Sequence, residues 1–128
     1  MSLRLVMSQF HVRVTRLARV LIVDVEGEVD VQTGPRLMAA LNRHAGYDAV
    51  VVDFSKVPFA SLAGIGPIVS LSRKLRRRGG DVALVAVRPT VARLLEVTCL
   101  TSTLTTAPDV RTAVGMLDGG APGGPAAA

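Results

Sequence analysis

An α/β fold built on a mixed sheet of four to five strands, flanked by about four α-helices, is predicted for these 128 residues. Three observations predict it. Period-two alternation of apolar and polar residues occurs twice in succession at the start of the chain. From residue 20 onward, strand-like runs alternate with stretches of helical period. One run, Ala49 to Phe54, is almost continuously apolar, as expected of a strand covered on both faces. Strands alternating with helices call for a layered α/β domain, and a strand pair at the beginning adds an antiparallel member to the sheet.

The elements follow in order. Gln9–Ala18 and Val20–Glu28 place Val12, Val14, Leu21, Val23 and Val25 at period-two positions, so two strands joined near Arg19 are expected. Thr33-Gly34-Pro35 is a helix-start signal, a hydroxyl cap followed by a proline whose missing N–H is not needed in the first turn. Leu37, Met38, Leu41 and Ala45 then form an apolar stripe, and Gly46 is expected to end the helix. Tyr47 to Phe54 is the central strand. After a turn at Ser61, Ile65, Ile68, Leu71, Ser72 and Leu75 recur at helical spacing, with Arg73, Lys74, Arg76 and Arg77 facing away, until Gly79-Gly80 stops the helix. Val82–Val87 reads as the next strand, and Pro89 opens a helix with Val91, Leu94, Leu95 and Val97 inward. A short Thr-rich strand near Leu104 and a helix from Pro108 to Leu117 complete the domain, residues 1–117. Residues 118–128 contain only Asp, Gly, Ala and Pro, and are expected to stay disordered because no large apolar side chain offsets their ordering entropy.

Composition narrows the function classes. Hydrophobic residues make up 49% of the chain and aromatic residues 3%, so Val, Leu, Ile and Ala must fill the core and stacking platforms for bases are scarce. Arg4, Arg13, Arg16 and Arg19 interrupt the first twenty residues, which argues against a secretory signal, and no later run reaches membrane-spanning length; a cytoplasmic protein without membrane contact is expected. A single cysteine and two histidines supply neither a disulfide nor a cluster at metal-ligand spacing, and no metal or cofactor is expected. The net charge of +5 is matched by Arg73, Lys74, Arg76, Arg77 and Arg78 alone, so the basicity is local and reads first as the solvated face of an amphipathic helix.

Four segments, taken in order and spacing, carry a resemblance: Gly27-Glu28-Val29-Asp30, Val51-Val52-Asp53-Phe54-Ser55, Phe59-Ala60-Ser61-Leu62-Ala63-Gly64-Ile65-Gly66 and Leu95-Glu96-Val97-Thr98-Cys99-Leu100. Together they resemble the STAS-domain anti-sigma factor antagonists of bacteria over roughly Gln9 to Leu117. The resemblance implies a mixed sheet with flanking helices. It also implies a protein that binds an anti-sigma factor of the kinase-like ATPase fold and so releases a sigma factor.

In that family the turn before the central helix usually reads Asp-Ser-Ser or Asp-Ser-Thr before Gly-Leu-Gly, and the first Ser is phosphorylated by the anti-sigma factor. Ser61 takes the Asp position here, Leu62 the acceptor position and Ala63 the second hydroxyl position. A phosphate adds about −1.5 to −2 charges, so replacing the acceptor by an isobutyl group implies an antagonist without that off-switch. Ser61 itself has two readings: a cap for the helix starting at Leu62, or a phosphoacceptor displaced by one residue. Leu62 is either a partner contact or a core residue of the first turn. Asp30 and Thr33 fall where the resemblance puts a loop beside this turn, as partner contacts or as local caps. The expected contact set is Asp30, Thr33, Ser61, Leu62, Ala63, Gly64 and Ile65. Asp53, at the end of the central strand, is explained by turn or cap hydrogen bonding. Cys99 stands where the family usually has Gly at a helix end, a position that often requires positive φ; it is either an inert turn residue or a redox-sensitive thiol.

Rival classes are weaker on the residues. The strand-Ser-helix turn resembles the nucleophile elbow of α/β hydrolases, but Phe59 and Ala63 occupy the positions that need glycine and neither His11 nor His44 follows the serine, so catalysis is not expected. Neither a small-molecule substrate nor a nucleic-acid partner is expected, because no phosphate-binding Gly-Lys motif or base-reading helix stands out. The alternative that keeps the fold is an accessory or scaffold subunit of a transport ATPase or a stressosome-type complex. A monomer or weak homodimer is expected.

Overall fold

The computed structural model describes residues 10–118. Strands β1 (His11–Leu17) and β2 (Val20–Glu26) form a hairpin. They are followed by α1 (Gly34–Asn42), β3 (Ala49–Lys56), α2 (Leu62–Arg76), β4 (Asp81–Val85) and α3 (Pro89–Val97), then a 3₁₀ turn (Leu100–Ser102), β5 (Thr105–Ala107) and α4 (Val110–Asp118). The five strands lie in the order β1-β2-β3-β4-β5, with β1 antiparallel to β2 and every other pair parallel. The predicted mixed α/β sheet is present. The expected disorder of the tail concerns residues outside those described, except Asp118, which closes α4.

Alternation sorts the side chains into two layers. Leu21, Val23, Val25, Val50, Val52, Phe54, Val82 and Leu84 face the larger core beneath α1, α2 and α3, where Leu37, Leu41, Ile65, Ile68, Leu75, Val91 and Leu95 meet them. Val20, Val51, Ala83 and Val85 face the opposite side, which α4 covers through Ala113. Because β3 is central, Val50, Val51 and Val52 are all buried, which explains its unbroken apolar run.

Some boundaries differ from the sequence expectation. α1 stops at Asn42 and the chain turns before Gly46, leaving Ala45 exposed after the helix. Val97 is 67% exposed and not an inward residue of α3, because the inward stripe of this short helix is complete with Val91 and Leu95. α4 begins at Val110; Asp109 holds its first turn by accepting from the Thr112 N–H at 2.8 Å.

At the end of the sheet where β4 starts, the Asp81 carboxylate accepts from the fully buried Ser72 hydroxyl (3.2 Å), Arg76 Nε (3.1 Å) and the Val82 N–H (2.8 Å). This cluster explains why a serine occupies an inward position of α2: its polar atom has a partner.

Candidate functional site: the turn at the start of α2

The site is assembled by two loops that leave the C-terminal ends of β2 and β3. They are stitched together by backbone bonds. The Val29 N–H donates to the Phe59 carbonyl at 3.0 Å and the Ser61 N–H donates to the Val29 carbonyl at 2.9 Å, giving a parallel bridge between Val29 and Ala60. Val29 and Ala60 are buried, so the bridge is a fixed floor from which the neighbouring residues project.

Gly64 explains how closely the loops approach. A Cβ there would lie 2.6 Å from the Val29 carbonyl carbon and 2.7 Å from the Asp30 nitrogen, so only glycine lets the first turn of α2 rest on the other loop. Gly34, at the start of α1, meets the Gly64 backbone in turn; a Cβ on it would sit 3.5 Å from Gly64 Cα.

Ser61 occupies the N-cap of α2 in extended conformation (φ −102°, ψ 162°), and its hydroxyl accepts from the Gly64 N–H at 3.2 Å. This is the capping geometry, and it satisfies one of the orphan donors of the first turn. Leu62 follows as the first helical residue and is 53% exposed, which excludes the reading of Leu62 as a core residue. Ala63 is exposed beside it. Pro67 lies inside α2 and lacks the N–H that would otherwise reach the Ala63 carbonyl one turn back.

Ile65 requires correction. It was expected among the contact residues but is 0% exposed and belongs to the core, because the helical turn that points Leu62 outward carries Ile65 under the helix. Gly64 is also buried, and its part is to admit the neighbouring backbone.

Asp30 and Thr33 shape the adjoining loop. The Asp30 carboxylate accepts from the Gln32 N–H (2.9 Å) and the Thr33 N–H (3.0 Å), while the Thr33 hydroxyl accepts from the Asp30 N–H (2.9 Å) and donates to the Glu28 carbonyl (2.6 Å). The bond from the Thr33 N–H, with help from that of Gln32, holds the Asp30 carboxyl below its ordinary range. Thr33 therefore does not cap α1 with its side chain, as the sequence suggested; its hydroxyl is engaged behind it, in the loop.

Two residues were missed by sequence reasoning. Phe59 is 45% exposed and Val31 69% exposed, one on each stitched loop. With Leu62 they make three of the six large hydrophobic residues exposed among the described residues. Large apolar residues in two short loops, where polar turn chemistry is the norm, were the available signal.

Below this surface, Asp24 and Asp53 are paired in register on β2 and β3. Half-burial raises the Asp24 carboxyl above its ordinary value, and the Asp53 charge and a hydrogen bond with Asp53 raise it further. Asp53 also accepts from the Ser55 N–H at 2.8 Å, the local role expected of it. Farther away, Cys99 is exposed and adopts a left-handed conformation (φ 62°, ψ 23°), as its place at a usual glycine position predicts. Among the described residues there is no cluster of His, Cys, Asp and Glu able to hold a metal, and no helix long and apolar enough to cross a membrane.

The STAS-domain profile matches residues 11–113, and the five-stranded mixed sheet with its flanking helices matches solved structures of anti-sigma factor antagonists. The chain belongs to the STAS-domain family. The anti-sigma-B factor antagonist of Listeria monocytogenes is 30% identical over 78 residues, covering 59% of this chain and 68% of that protein. An anti-sigma factor antagonist from Mycobacterium paratuberculosis superposes with a TM-score of 0.77 at 26% identity, over 85% of this chain and 94% of the other. The antagonist SpoIIAA in its unphosphorylated form shares the fold, with a TM-score of 0.72 at 17% identity, over 88% of this chain and 100% of the other; its phosphorylated form has also been solved.

Proposed function

We propose that this chain is an anti-sigma factor antagonist that binds an anti-sigma factor of the kinase-like ATPase fold, releases a sigma factor by mass action, and does so without phosphorylation at the start of α2. The exposure of Leu62 carries the reading. A half-exposed isobutyl group stands at the first residue of the helix, where the resemblance places the acceptor serine. An apolar side chain cannot accept a phosphoryl group, and its exposure suits burial in a partner.

The flanking residues support the same reading. Ser61 engages its hydroxyl as a cap, Phe59 and Val31 extend the apolar surface, and Asp30 and Thr33 set the shape of the loop beside it. The chain acts by binding, not by catalysis, in this account, and the cytoplasm is where such a partner would be met.

Affinity purification from the native host, followed by identification of the retained protein, tests the partner. Recovery of a kinase-fold ATPase is expected; co-purification with a transport ATPase instead would overturn the assignment. With that partner in hand, titration against Leu62→Asp should show affinity reduced at least about tenfold, a loss of about 1.4 kcal/mol.

A further inference from the structure

The strand register divides the charged residues between the two ends of the sheet. Val20, Ala49 and Asp81 are aligned on β2, β3 and β4, so the β1–β2 turn and the connections entering β3 and β4 all lie at the end opposite Leu62. These connections, with the turns leading into them, bring Arg16, Arg19, Arg43, Arg73, Lys74, Arg76, Arg77 and Arg78 together, all exposed. Their carboxylates are Asp48 and Asp81, each already in an ion pair, with Arg78 (2.7 Å) and Arg76 (3.1 Å) respectively. Glu96 and Asp118, at the C-terminal ends of α3 and α4, are the other acidic residues whose elements run to this end, which leaves the balance clearly positive.

We propose that this end binds the phosphodiester backbone of a nucleic-acid duplex, without reading its sequence. The scarcity of stacking aromatics and the lack of a base-reading helix, which argued against a nucleic-acid partner on sequence grounds, do not bear on backbone contact. The cations are arginines with one lysine, and a guanidinium fork suits phosphate oxygens. They span about 15 Å, three strand spacings, across which a duplex presents a phosphate charge about every 1.7 Å of its axis.

Other occupants are served less well. Among the described residues, Leu17, Val97 and Met116 are the large exposed hydrophobic residues at or near this end. They sit on three separate elements, β1, α3 and α4, with α4 on the opposite face of the sheet from α3, so they do not gather into a protein hot spot or a patch for insertion into a bilayer. A second copy would have to offer the carboxylates of its Leu62 end, of which Asp24 is opposed by the charges of Arg13 and Lys56 and Asp30 is engaged by the Gln32 and Thr33 N–H groups.

The full-length chain, titrated with a duplex of about 20 base pairs and arbitrary sequence, tests this. Weak binding is expected at about 50 mM salt, falling roughly a hundredfold by about 200 mM if about four phosphates are engaged. Arg73→Gln/Lys74→Gln/Arg77→Gln, and separately Arg19→Gln/Arg43→Gln, should each flatten the salt dependence, while Leu62→Asp should leave it unchanged. Circular dichroism confirms that these surface variants fold. No binding at low salt, salt slopes in both variants equal to that of the parent, equal or tighter binding of polyglutamate or phosphatidylserine vesicles, or self-association dissolved by salt would each overturn the proposal.

Discussion

Leu62 and Gly64 stand two residues apart and have opposite tasks. Leu62 projects from the first turn of α2, so its replacement changes the surface and not the core. An aspartate at that position lies where the helix dipole favours negative charge by about 0.3–1 kcal/mol, so Leu62→Asp should fold as well as the parent, and thermal melting checks that lost affinity is not lost structure. Gly64 faces inward against Val29 and Asp30. Gly64→Ala should cost about 1–3 kcal/mol of stability through overpacking against backbone that cannot yield, read as a lower midpoint in urea. Asp24 gives a prediction with a sign. Its folded-state pKa is raised, so the native chain holds the proton more tightly than the unfolded chain, and stability falls as pH rises from the unfolded value near 3.8 through the folded one. Asp24→Asn should therefore be more stable than the parent at neutral pH and lose that advantage in acid; an advantage independent of pH would contradict the assigned cause.

At the scale of elements, the two loops act as one unit because Val29 and Ala60 bridge them. Phe59→Ala and Val31→Ala should each weaken partner binding, Val31→Ala with little change in stability because that side chain is largely in water before association, and Phe59→Ala with a modest loss because about half of its ring is already covered; isothermal titration against the purified partner measures the first effect and thermal melting the second. Ser61→Ala should remove the cap and lower stability by about 1 kcal/mol. The strands were legible because period-two alternation and the apolar run of β3 are direct images of which faces are covered. The start of α2 was legible too, through a capping hydroxyl followed by helical spacing. Thr33 misled because its hydroxyl had two uses, and only the folded loop shows that it turns back to Glu28. Val97 misled because apolar spacing continues past the last turn that the core reaches. Phe59 and Val31 were not legible as parts of one surface, since the approach of their loops depends on backbone bonds between segments about thirty residues apart in the chain.

For the whole molecule, the sheet separates two surfaces: an apolar one where the β2 and β3 loops meet, and a basic one where the connections enter the strands. In the proposed function the first surface meets the anti-sigma factor, and no covalent event at Leu62 can turn that encounter off. The most direct measurement is the affinity of the chain for its kinase-fold partner before and after prolonged incubation of the two with magnesium and ATP, with intact mass recorded in parallel. The account predicts that the chain gains no phosphate and that its affinity for the partner is the same before and after. A stoichiometric phosphate on Ser61, accompanied by release of the partner, would contradict it.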